Sequence, residues 1–220
     1  MRSSTFLRTA ILAFGTFLAG FCVNGQQKSP PVENTGLPPR ASPADYQYQA
    51  KVGTITIAAE FADHSVPTPE GPLSTEDFVV VETGIFGAPG ARLTLSPADF
   101  SLRINGKKPT PSSQYLLILK SLKDPTWEAP ELAKAEPKSK GGLTNGNSSS
   151  DISNPSLPPI VHVPIELQRS WNKRAEKASL PEGDRALPQA GLLFFQHSGK
   201  TKSLELLYDG PAGKAKLTLQ

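Results

Sequence analysis

Cysteine is nearly absent from this 220-residue chain: Cys22 is the only one. It lies at the end of an apolar run from Ala10 to Val23 that follows Arg2 and Arg8. A basic start followed by a short uncharged run has the form of a secretory signal peptide over residues 1–25. The run is shorter than the roughly 20 apolar residues a membrane span needs. Val23-Asn24-Gly25 places small residues for cleavage before Gln26, and an uncleaved anchor helix is the alternative. Lipidation of Cys22 is disfavoured because the bulky Phe21 precedes it. Cleavage after Gly25 leaves a chain with no disulfide, no thiol nucleophile and no thiolate metal ligand. Such an exported chain must hold itself together by its core.

Charge of one sign is also lacking. The chain has 23 Lys and Arg against 20 Asp and Glu, and loss of Arg2 and Arg8 with the signal leaves 21 against 20. A net charge this small gives no global field toward nucleic acid or an acidic membrane, so neither a nucleic-acid partner nor stable membrane insertion after cleavage is expected. Histidine is scarce too: His64, His162 and His197 stand far apart. No HisGluXXHis, GlyXSerXGly or phosphate-binding glycine loop is present. Asp99, Glu82 and Glu205 cannot be paired as acid and base from their spacing. The residue patterns thus nominate no catalytic, cofactor-binding or metal-ligating residue, and no cofactor. An enzyme built from His64, His162 and His197 is the remaining catalytic alternative.

Proline and glycine are abundant and divide the chain. Residues 26–44 are polar and Pro-rich, which predicts a disordered leader. Residues at about 129–159 contain almost no large apolar side chain, so they cannot offset the entropy of ordering. They read as a disordered insertion in one domain spanning 45–220.

What remains is rich in period-two alternation, the mark of strands with one buried face. Tyr46, Tyr48, Ala50 and Val52 alternate with polar residues, and after Gly53 the phase flips to Ile55, Ile57, Ala59 and Phe61. The flip predicts a β-bulge or a bend between sheets. FVVVET at 78–83 is apolar on both sides, as a central strand is, and Gly84 predicts a second bulge. Turns are expected at 87–90 and 96–99, with strands at 92–95 and 100–104. Asn105-Gly106 predicts a tight hairpin, because both central positions of a type I′ turn need positive φ. A strand is expected at 115–119, another at the LLFF of 192–195, and alternating strands on either side of the turn at 209–213.

One helix is predicted after Pro164, placed at the first helical position. Leu167, Trp171, Ala175 and Ala178 form its apolar stripe, and Pro181 and Gly183 end it. Arg169, Lys173 and Lys177 form a basic stripe, read as a solvated face or a grip for an acidic partner. Lys107 and Lys108, after the hairpin turn, are a candidate anion site. Trp127 is either a packing residue or an exposed binding aromatic.

FVVVET at 78–83 followed by LTLSPADFSLRINGKK at 93–108 resembles telokin-like, immunoglobulin-fold domains of bacterial secreted proteins and lipoproteins. In that pattern one strand leads to an Asp-Phe-x-Leu strand and an Asn-Gly hairpin. The resemblance implies an all-β fold, an antiparallel immunoglobulin-like β-sandwich of seven to nine strands with one accessory α-helix. It carries over no catalytic residue. The function expected is that of an exported, non-catalytic module binding a protein or glycan of the cell envelope, periplasmic or extracellular. The alternative is a periplasmic chaperone or assembly factor acting by strand addition.

Overall fold

The computed structural model describes residues 35–128 and 163–219; the expected signal segment with Cys22, the start of the leader, the insertion at 129–159 and His162 lie outside them. The described residues are mostly antiparallel strands with one α-helix. In chain order the strands are β1 (Tyr48–Val52), β2 (Ile55–Asp63), β3 (Ser65–Val66), β4 (Leu73–Thr75), β5 (Phe78–Phe86), β6 (Arg92–Leu95) and β7 (Phe100–Ile104). They continue with β8 (Thr110–Pro111), β9 (Leu122–Lys123), β10 (Gly183–Ala186), β11 (Gln189–Gln196), β12 (Leu204–Gly210) and β13 (Gly213–Thr218); helix α1 is Ile165–Ala178. Among the described residues there are thirteen strands, several of only two to four residues, and eight of the thirteen make up the two larger sheets.

Two four-stranded sheets carry the architecture, one ordered β1-β2-β5-β11 and the other β13-β12-β7-β8. Their facing sides form the main core. Ile57, Val79, Val81, Ile85, Leu193 and Phe195 from the first sheet share it with Phe100, Leu102, Leu204, Leu206 and Leu217 from the second. The alternation read from the sequence is realised in β7 and β12, where every second residue is buried.

The first sheet is covered on its other side as well. Val80, Phe78, Leu192 and Phe194 face a second core with Trp171, Ala175 and Ala178 of α1 and with Val66, Leu73 and Leu122 of the small β3-β4-β9 sheet. This explains why β5 and β11 are apolar at successive positions: each lies between two layers. The predicted stripe of α1 is the face that docks, with Trp171 only 3% exposed. Pro164 caps the helix one position earlier than expected.

Three sequence readings are corrected. At Gly53 the chain makes a hairpin, not a bulge or bend: Val52 pairs with Ile55, and Gly53 has φ +56°. A two-residue turn reverses the chain and flips the alternation just as a bulge does. Gly84 is not bulged; it pairs in register with Ala58 and Ala190. It leaves room for the Tyr46 ring, since a Cβ there would sit 2.7 Å from ring and hydroxyl atoms. The irregularity lies instead between Phe61 and Asp63, where Asp63 has φ +54°. Residues 115–119 form no strand: Tyr115–Leu117 is a 3-10 turn, with Leu116 and Leu117 exposed.

The described part of the expected leader, residues 35–44, makes specific contacts. Leu37 N–H donates to Ala190 O at 2.9 Å. Arg40 bonds both oxygens of Glu82, at 3.2 and 3.0 Å, and lies 2.6 Å from a Glu60 oxygen. Glu60 and Glu82 are direct cross-strand partners, and like charges so placed repel. Arg40 neutralises them and lies 4.4 Å over the Tyr46 ring. Composition could not show this, because the order comes from tertiary contacts.

Candidate functional site

The free edge of β11 is covered one residue at a time by three distant segments. Leu37 bridges Ala190, Ser179 bridges Leu192 and Ser113 bridges Phe194. Each position satisfies a carbonyl: Leu180 N–H donates to Leu192 O at 3.0 Å, and Ser113 N–H to Phe194 O at 2.7 Å. Gly191 allows the close approach, since a Cβ there would lie 2.4 Å from Leu180 Cα.

Between the last two covers lies a groove of about 350 Å³. Leu180, Leu192 and Phe194 lie beneath it, each only 1% exposed, so its accessible apolar surface comes from the half-buried Pro97 and Tyr115, while Ser113, Gln114, Glu176, Glu182 and Arg185 contribute polar groups. Tyr115 O–H donates to Glu176 Oε1 at 3.1 Å, across 61 residues of sequence. Burial pushes the Tyr115 phenol above its ordinary 10.0, and the bond to Glu176 pushes it the same way. The phenol therefore stays a neutral donor at physiological pH. Arg185 Nε donates to Glu182 O at 3.1 Å. A cleft in which a few polar groups converge beside an aromatic ring is a common form of small-ligand site.

None of these groove residues was nominated from sequence. They come from three separate stretches, and only their fold brings them together. The residues that were nominated are dispersed. His64 Nδ1 sits 2.8 Å from Phe78 O, and His197 N–H donates to Asp77 O at 3.0 Å. They flank β5 from opposite sides, since β2 and β11 are its two neighbours. No group of three His, Cys, Asp or Glu able to hold a metal occurs among the described residues.

Glu82 is engaged by Arg40 on the outer face of the first sheet, and Glu205 by Arg103 and Lys216 on the second. Asp99 lies on the turn into β7, where burial and then the neighbouring Asp209 push its carboxyl above 3.8. Trp127 packs edge-on against Trp171, with ring centroids 6.3 Å apart. Arg169, Lys173 and Lys177 are exposed on α1, and Arg169 pairs with Glu166 at 2.9 Å. Arg174, outside that stripe, is the half-buried cation of the helix: it donates to Gly71 O at 2.6 Å and lies 3.6 Å from Asp124. Lys107 and Lys108 line a second groove, with Arg103, Ser203, Glu205 and Thr218.

No protein-family profile, curated protein or solved structure matches the chain.

Proposed function

We propose that this protein is an exported, non-catalytic binding module that takes a short segment of an envelope glycan in the Tyr115–Glu176 groove. The observation that carries the reading is the convergence of Glu176, Glu182 and Arg185 beside the Tyr115 ring in about 350 Å³. That volume suits one or two sugar rings, within the range usual for small-ligand clefts. A sugar ring offers an apolar face to Pro97 and the Tyr115 ring, hydroxyl donors to Glu176 and Glu182, and acceptors to Arg185. Export rests on the apolar N-terminal run and its basic start. Among the described residues no helix is long and apolar enough to cross a membrane.

Glu176 already accepts from Tyr115, and the Ser179 hydroxyl donates to Glu176 O at 2.7 Å, which fixes that backbone. The immunoglobulin-like reading is supported by two antiparallel sheets packed face to face. Its strand order is a variant: β2 lies beside β5, its next long strand, in one sheet, whereas immunoglobulin sheets separate the second and third strands.

Calorimetric titration with envelope-glycan oligosaccharides tests the proposal. Binding should weaken at least about tenfold in Glu176→Gln and in Arg185→Ala, the scale of about 1.4 kcal/mol from one lost polar contact. Unchanged affinity in both variants would overturn it.

A further inference from the structure

We infer that the second groove, on the outer side of the β13-β12-β7-β8 sheet, is a binding site for an acidic polysaccharide, independent of the Tyr115–Glu176 groove. It measures about 500 Å³ and is lined by Arg103, Gly106, Lys107, Lys108, Pro109, Ser203, Glu205 and Thr218. Its charge is one-sided. Arg103, Lys107, Lys108 and the adjoining Lys216 face a single carboxylate, Glu205. Glu205 is shared by Arg103 at 2.8 Å and Lys216 at 3.0 Å, so it neutralises one charge of that set. Among the described residues Lys107 and Lys108 have no ion-pair partner. The chain as a whole is close to neutral, so this local excess is a segregation of charge rather than a general basicity.

The lysines are also held in place. Asn105 and Gly106 both have positive φ, 53° and 70°, and Lys107 N–H closes the turn on Ile104 O at 3.1 Å. The Asn105 amide donates to Lys200 O at 2.9 Å, and its oxygen accepts from Lys202 N–H at 2.7 Å and Ser203 N–H at 3.2 Å. Three bonds from one side chain tie the hairpin tip to the opposite wall of the groove. Pro109 stiffens the chain after the lysines. The backbone that carries both ammonium groups is thus fixed before any ligand arrives, which reduces the ordering cost of binding.

The lining selects among polyanions. It contains no aromatic side chain, so it lacks the stacking platform that single-stranded nucleic acid uses. Arg103 and Glu205 lie on the sheet surface, with side chains 38% and 24% exposed, and the Ser203 and Thr218 hydroxyls stand beside them, so cations and neutral hydroxyls are mixed as a sugar chain requires. The Ser203 and Thr218 hydroxyls then meet sugar hydroxyls, while the cations meet sulfate, phosphate or carboxylate groups.

The test uses the full exported chain and four probes at low salt: a heparin oligosaccharide, polygalacturonate, a single-stranded oligonucleotide and anionic phospholipid vesicles. Binding to the two acidic polysaccharides should be tightest and should weaken as salt screens the charges. Lys107→Glu with Lys108→Glu should weaken it at least about tenfold, and the double Gln variant by a smaller factor, with the unfolding midpoint unchanged. Lys173→Glu with Lys177→Glu, on the basic face of α1, should leave it within about twofold. If the charge-reversed hairpin misfolds, the Gln pair alone decides. Equal losses from the hairpin and helix variants would overturn the site. So would tighter binding to the oligonucleotide or the vesicles, or no polysaccharide binding at low salt.

Discussion

Replacing Arg40 by Met tests whether a proline-rich segment is held to the sheet by one guanidinium. Met keeps the apolar stem and removes the charge. Two ion pairs vanish, to Glu60 at 2.6 Å and to Glu82 at 3.0 Å. The Arg40 and Glu60 side chains are about 30% exposed and that of Glu82 15%, so solvent screening keeps each pair at no more than about 1 kcal/mol. The contact with the Tyr46 ring adds about 0.5 kcal/mol. The Glu60–Glu82 cross-strand repulsion is present in both proteins and adds nothing to the difference. The expected loss is about 2 kcal/mol, or roughly 4–8 °C in Tm for a domain of this size. Urea unfolding of four proteins measures it: the native chain, Arg40→Met, Glu82→Gln and the double variant. The diagnostic is a change of sign. Glu82→Gln should destabilise the native chain and stabilise Arg40→Met, because in the second case it removes a repulsion. Equal effects of Glu82→Gln in both backgrounds would refute the reasoning, as would Arg40→Met within about 0.3 kcal/mol of native.

Two further outcomes follow from the packing and the charges. Trp171→Ala should cost about 3–5 kcal/mol by urea unfolding, as truncation of a buried Trp does, while Lys173→Ala should change stability by less than about 0.5 kcal/mol. The Glu205 carboxyl is held below its ordinary 4.5, first by the hydrogen bond from Lys216 and then by Arg103. A lowered folded-state value means stabilisation that is present above 4.5 and lost as pH falls through the lower folded value. Glu205→Gln should therefore flatten the acid limb of the unfolding midpoint against pH; an unchanged limb would show that the pair contributes nothing.

The sequence was legible where a strand faces one layer or two. Phe100, Leu102 and Ile104 alternate because β7 has one wet face, and the unbroken Val79–Val81 run reports that β5 has none. The Trp171 stripe was legible because a short helix must dock to persist. Misreadings occurred where one pattern has two physical causes. The phase flip at Gly53 fits a bulge and a hairpin equally. The apolar Tyr115–Leu119 run has no period to separate a strand from a turn, and its Leu116 and Leu117 remain exposed. Lys107 and Lys108 were visible because turn chemistry placed them together. Tyr115, Glu176 and Arg185 were not, since no local spacing records contacts closed by the β11 edge.

That edge also separates the two readings of how this protein binds. Strand addition needs a row of unpaired N–H and C=O groups. On β11 the carbonyls of Ala190, Leu192 and Phe194 already accept from Leu37, Leu180 and Ser113. A guest strand would have to displace all three segments, and with them the Arg40 contacts and the C-terminal turn of α1. The other edges of the two four-stranded sheets are poor templates. β8 has two residues and one is Pro111, β13 carries Lys214 and Lys216, and β1 lies alongside β13 at the corner where the sheets meet. With its backbone groups committed, β11 presents a partner with the side chains that line the gap between its covers. On the proposed reading, recognition there rests on Tyr115, Glu176 and Arg185 rather than on a ladder of main-chain bonds.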